Sequence, residues 1–72
     1  MLTIGSTVNG YRIEMMLGRT VFAVNSHVEC PEPYAVWDLD YDGCGVNNGR
    51  YYGDRFRALA QFYTIVADKE GS

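Results

Sequence analysis

The sequence predicts an α+β fold: a small antiparallel sheet of four or five strands with one C-terminal helix packed on one face. Three observations carry this reading. Short β-compatible runs in the first half are broken by turn residues, Asn9-Gly10 among them. Residues 34–41 alternate apolar and polar side chains. The last third changes to a helical period behind a capping aspartate, Asp54. The 72 residues read as a single domain, 1–72. A chain of this length buries only about 60% of its unfolded surface. It has no room for a doubly wound nucleotide fold or for two domains with a cleft between them.

The elements follow in chain order. Residues 2–8 and 11–17 form strands joined by Asn9-Gly10, a pair that accepts positive φ at both turn positions. A second break at Gly18-Arg19 leads into 20–27, rich in β-branched and aromatic residues, which completes a meander. Pro31 and Pro33 stiffen the next connection, because each fixes its own φ and pushes its predecessor towards extended geometry. In the strand at 34–41, Ala35, Trp37, Leu39 and Tyr41 share one face, and Asp38, Asp40 and Asp42 fall on the other with Val36. Residues 42–49, with three glycines and two asparagines, read as a loop, after which 50–52 can add a short return strand. The helix spans about 54–69, with Asp54 as N-cap. Its expected inner stripe is Phe56, Leu59, Ala60, Tyr63, Val66 and Ala67, with Phe62 at the edge and Ile65 pointing away. Lys69 and then Gly71 suit its C-terminus. The expected core is Ile4, Val8, Ile13, Phe22, Val24, Trp37, Leu39, Phe56, Leu59, Tyr63 and Val66.

Composition narrows function. At 47% apolar and 14% aromatic residues the chain is too hydrophobic for a disordered tail. Nine acidic against six basic residues give a formal charge of −3, and there is one lysine, Lys69. Direct nucleic-acid binding needs clustered cations, so it is not expected. No secretory pattern opens the sequence, and its apolar runs are far shorter than the ~20 residues of a membrane span. The expected location is the cytoplasm, where Cys30 and Cys44 stay reduced.

Several motifs fall short of a chemistry. Asp38-Leu39-Asp40-Tyr41-Asp42-Gly43 matches the opening of a calcium loop, but position 12 of that loop is Gly49 where a glutamate is needed. His27, Cys30 and Cys44 supply three potential zinc ligands and no fourth. Gly43-x-Gly45-x-x-x-Gly49 departs from the dinucleotide fingerprint and reads as turn chemistry. No catalytic residue, metal ligand or cofactor is assigned, and the expectation is a protein that is not an enzyme. The strongest candidate surface is the row Asp38, Asp40 and Asp42, a line of negative charge for a protein partner, partly neutralised by Arg12 and Arg50. Tyr51 and Tyr52 point to opposite faces of a strand and join it as candidate partner-binding residues.

Pro33-Tyr34-Ala35-Val36-Trp37, then Gly49-Arg50-Tyr51-Tyr52-Gly53-Asp54-Arg55 with Ala58 and Phe62, form a pattern across residues 19–66. It resembles small proteins encoded on conjugative transposons, plasmids and prophages of Firmicutes. Those also read as a Phe-Ala strand, a Pro-aromatic-x-x-Trp strand, a Gly-x-Tyr stretch and a terminal helix. The Asp-Gly-Cys-Gly loop sequence at 42–45 has no counterpart in that pattern. The resemblance implies an accessory cytosolic protein of a mobile element and carries over no catalytic residue. The expected function is binding to another protein, in its sharpest form as an acidic inhibitor of a nucleic-acid-directed host defence system. Two alternatives stand beside it: a metal- or redox-responsive module using Asp38–Asp42 or Cys30 and Cys44, and a self-associating structural subunit. As to assembly, a monomer or weak homodimer is expected.

Overall fold

The computed structural model describes residues 1–70, so the expected helix stop at Gly71 lies outside the described residues. Five strands, β1 (Thr7–Val8), β2 (Tyr11–Leu17), β3 (Thr20–Val24), β4 (Tyr34–Leu39) and β5 (Val46–Tyr52), precede one helix, α1 (Arg55–Glu70). The strands pair antiparallel in the order β1-β2-β3-β4-β5, and the helix packs against this sheet. The predicted α+β fold is the observed one.

Turn chemistry sets the meander. Asn9 and Gly10 take φ of 52° and 85°, as a two-residue hairpin between Val8 and Tyr11 requires. Gly18 takes φ of 60° at the first position of the turn that pairs Leu17 with Thr20. Four expected strand bounds move, one of them at the end of β4, which stops at Leu39 instead of residue 41. The run expected at 2–8 keeps only Thr7–Val8 as strand, because Ser6 turns back on Thr3 and Gly5 sits at φ 98°. The run expected at 20–27 ends at Val24, where the Asn25 side chain caps the His27 N–H and diverts the chain. The return strand begins at Val46 instead of residue 50, so the Asn-Asn-Gly stretch lies within the strand, Asn47 paired with Asp38.

Two irregularities curl the sheet. Glu14 is an extra residue between the Ile13–Ala23 and Met15–Phe22 pairs. On β5, Asn48 and Gly49 together oppose Trp37, with Asn48 at φ 53°. Bulges of this kind bend a strand and strengthen its twist. The curl carries Tyr11 of β2 to within 5.7 Å of the Tyr51 ring on β5, across the two intervening strands.

The core therefore has two layers. On the curled face lie Ile13, Val21, Ala23, Ala35 and Trp37, with Leu2, Val8, Tyr11, Leu39 and Val46 packed on them. On the helix face lie Phe22, Val36, Ala58, Phe62 and Ile65, with Met15, Val24, Tyr34, Tyr52, Leu59 and Val66 around them. Asp54 caps the helix as expected, its Oδ1 accepting the Phe56 N–H at 2.9 Å.

The helix's phase differs from the expected one. Ala58, Phe62 and Ile65 face the sheet, whereas Phe56 is 80% and Tyr63 50% exposed and Ala60 and Ala67 face outward. The helix is apolar around most of its circumference, so its periodicity alone fits two orientations. The sheet selects between them. Phe62 packs edge-on against Phe22 at 6.2 Å, and Ala58 contributes to the same buried cluster. Arg55 and Lys69, at the two ends of the same stripe, reach Glu14 at 3.5 Å and Asp38 at 2.8 Å. Ile4, expected in the core, is 63% exposed because the turn at Gly5 lifts it away from the sheet.

Candidate functional site

The aspartates of the expected acidic row are placed by the hairpin joining β4 to β5. Asp38 follows Val36 on the helix face of β4 and is paired with Thr20 on β3. Its Oδ1 accepts from Lys69 Nζ at 2.8 Å and its Oδ2 from Asn48 Nδ2 at 2.9 Å. Lys69 also donates to the buried Thr20 hydroxyl at 3.1 Å. Burial pushes the Asp38 carboxyl up. The hydrogen bonds from Lys69 and Asn48 and the charges of Lys69 and Arg50 outweigh that and hold it below its ordinary value of 3.8. This carboxylate is turned inward, fastening the last turn of α1 to the sheet.

Asp40 lies beyond the end of β4 and organises the turn. Its N–H donates to the Gly45 carbonyl at 2.8 Å, and its carbonyl accepts from Gly43 N–H at 2.9 Å and from Arg19 Nη2. Its carboxylate accepts from Asn47 Nδ2 and covers Gly45, where a Cβ would stand 2.6 Å from Oδ2. Asp42 Oδ1 accepts the Cys44 N–H at 2.9 Å, an Asx turn that leaves its residue exposed. The Gly43 carbonyl receives Leu2 N–H at 2.7 Å, which ties the tip to the N-terminal segment. A straight strand would present the three carboxylates as an even row. Here β4 stops at Leu39, and each carboxylate serves a different local bond.

Tyr41 was expected on the core face and is fully exposed. The turn at Asp40 rotates it out of the sheet, and the Arg19 guanidinium lies 5.3 Å from its ring centre. The signal for this is the Asp42-Gly43 pair, a turn dipeptide that places the end of the strand ahead of it. Tyr51 and Tyr52 take opposite faces, as the strand period requires. Tyr52 packs on the helix layer. Tyr51 packs on the curled face, where its hydroxyl accepts from Trp37 Nε1 at 3.2 Å. These tyrosines and the hairpin tip do not form one contiguous row.

The cysteines are separate free thiols, Cys30 half-buried and Cys44 exposed. Cys30 Sγ lies 3.7 Å from the Tyr11 hydroxyl, which also donates to the Glu32 carbonyl at 2.9 Å. Burial and the neighbouring Cys30 push the Tyr11 phenol up to about 12. Among the described residues no three of His, Cys, Asp and Glu are grouped to hold a metal ion, and no helix is long and apolar enough to cross a membrane. An open groove of about 520 Å³ lies between the β2–β3 turn and the end of α1, lined by Leu17, Gly18, Arg19, Thr20, Val66 and Lys69. Compared with known proteins, the chain matches no family model, no curated protein and no solved structure.

Proposed function

We propose that this chain is a non-catalytic protein-binding module that meets its partner with the tip of the β4–β5 hairpin. On the resemblance described above, it serves a mobile genetic element as an accessory protein in the cytoplasm. The observation that supports this most is Tyr41. A fully exposed aromatic ring is held on a tip fixed by backbone bonds, by the Asx turn of Asp42 and by Arg19. Aromatic anchors on preorganised loops suit binding, because little ordering entropy is left to lose. Asp42 adds an exposed carboxylate beside the ring, and the net charge of −3 favours a basic partner. The acidic-inhibitor form of the reading rests on that carboxylate more than on Asp38, which is bound to Lys69.

The test is capture from a Firmicutes lysate by immobilised protein, with the captured species identified by mass. The expected result is one nucleic-acid-handling protein, retained by wild type and weakened about tenfold or more by Tyr41→Ala. Asp42→Asn is expected to weaken it further, and duplex DNA to release it. Capture that ignores both substitutions overturns the tip as the site. Capture that depends on Tyr41 but resists DNA keeps the binding module and removes the inhibitor form.

A further inference from the structure

We propose that the outward face of α1 is a homodimer seam, on which a second copy of this chain packs with its helix antiparallel. A helix that buries one stripe normally shows a polar face opposite. Here the opposite face reads Phe56, Ala60, Tyr63 and Ala67, all solvent-facing, with Phe56 80% and Tyr63 50% exposed. The steps of four, three and four residues are those of a seam between two packed helices. The sheet already satisfies the other stripe through Ala58, Phe62 and Ile65.

The order of sizes along the seam identifies the occupant. In a two-fold antiparallel pair the same patch meets itself. Centred between Ala60 and Tyr63, such a pair sets Phe56 against the partner's Ala67, and Ala60 against the partner's Tyr63. Every layer then joins one large and one small side chain, which fills space evenly. A parallel pair in register would stack Phe56 on its own copy and leave a gap between the two copies of Ala60.

Charge follows the same arrangement. Arg57, Thr64 and Asp68 flank one side of the seam, and the half-buried Leu59 and Val66 flank the other. Antiparallel packing brings like flanks together. Each Arg57 then lies about 3 Å along the axis from the partner's Asp68, while the two Arg57 side chains are about 13 Å apart at 1.5 Å per residue. A parallel pair would instead bring unlike flanks together and set each Arg57 beside the partner's half-buried Leu59, with no opposite charge in reach. The seam presents four side chains of one helix, against the roughly 20–30 residues a side of a standard interface, so the dimer is a weak one. This surface does not depend on the hairpin tip or on its partner.

Sedimentation velocity over a concentration series, from roughly ten micromolar to one millimolar, tests the seam across the range of a weak dimer. Wild type is expected to move from 8.1 kDa towards twice that mass. Tyr63→Lys and Arg57→Asp are each expected to raise the midpoint at least about tenfold. Combining Arg57→Asp with Asp68→Arg is expected to restore it. These residues are solvent-exposed, and an unchanged circular dichroism spectrum confirms that each variant is folded. Wild type that stays monomeric, or a dimer that ignores Tyr63→Lys or is not rescued by the charge swap, overturns the proposal. Disulfide trapping on a Cys30→Ser/Cys44→Ser background reads the direction. A mixture of Phe56→Cys and Ala67→Cys chains is expected to give the mixed crosslink. Efficient self-crosslinking of Ala67→Cys alone overturns the antiparallel arrangement.

Discussion

The two faces of the sheet are closed by different means. One is covered by α1, which lays Ala58, Phe62 and Ile65 over Phe22 and Val36 and is fastened at its ends by Arg55–Glu14 and Lys69–Asp38. Among the described residues no helix covers the other. It is closed by the sheet's own curl, which brings Tyr11, Trp37 and Tyr51 together and leaves Trp37 only 2% exposed. The helix layer depends on apolar volume and a few long polar tethers. The curled layer depends on backbone geometry at the bulges and on a tyrosine–tryptophan hydrogen bond.

The largest effect that separates them is expected from Phe62→Ala. It empties the centre of the helix layer and should cost about 3–5 kcal/mol, much of the stability of so small a domain. In chemical denaturation the variant should be largely unfolded or marginal. A loss below about 1 kcal/mol would mean that the helix is not what closes this face.

Gly49→Ala tests the curl. A Cβ there would stand 2.9 Å from the Tyr51 hydroxyl oxygen and 3.1 Å from Trp37 Nε1. Tyr51 must move and release the indole N–H, which should cost about 1–3 kcal/mol. The cost should fall by more than half in a Tyr51→Ala background, since neighbours sharing one contact are not additive. Equal costs in both backgrounds would place the strain in the backbone of the bulge instead.

The pH dependence divides along the same line. Asp38, on the helix face, has a lowered pKa, so its folded state favours the carboxylate. Its contribution is complete above the ordinary value of 3.8 and is lost as pH falls through the lower folded value. Tyr11, on the curled face, is raised to about 12, so folding favours the neutral phenol. That contribution is complete below 10 and disappears as pH rises towards about 12. Acid should therefore loosen the end of α1 first, and alkali should loosen the curled face first. Asp38→Asn is expected to cost about 1 kcal/mol at neutral pH and to flatten the acid limb of helical circular dichroism. Tyr11→Phe should remove the one contribution near pH 12 from the tyrosinate titration of the six tyrosines and leave the acid limb unchanged.

What could be read from the sequence follows the strength of each local rule. Asn9-Gly10, Gly18 and Asp54 act through their own backbone conformation or cap, and they sit where they were expected. The alternation of Ala35, Trp37 and Leu39 against Val36 and Asp38 also holds, because one face of β4 is filled by the curled layer and the other by the helix layer. β5 was largely hidden because Asn47, Asn48 and Gly49 resemble a turn, and Asn48 does take a turn-like φ of 53° inside the ladder. The hairpin tip departs from its expected geometry for a related reason. A period of two projects Tyr41 inward only while the strand continues, and Asp40 ends it with bonds to Gly43 and Gly45.

The helix's phase was the deepest ambiguity, and it gives the smallest expected effect. Phe56 and Phe62 are the same residue on the same helix, and sequence periodicity favoured Phe56 as the buried one. The sheet decides otherwise through partners far along the chain: Phe22 beneath Phe62, Glu14 reaching Arg55, and Asp38 reaching Lys69. Phe56→Ser should then change the stability of the dilute chain by no more than about 0.5 kcal/mol, against the several lost at position 62. Dilution matters to the measurement, because at concentrations where the outer seam is occupied Phe56 is no longer a surface residue. The cost of Phe56→Ser should grow with protein concentration while that of Phe62→Ala does not, and equal slopes for the two would show that the outer seam contributes nothing to stability.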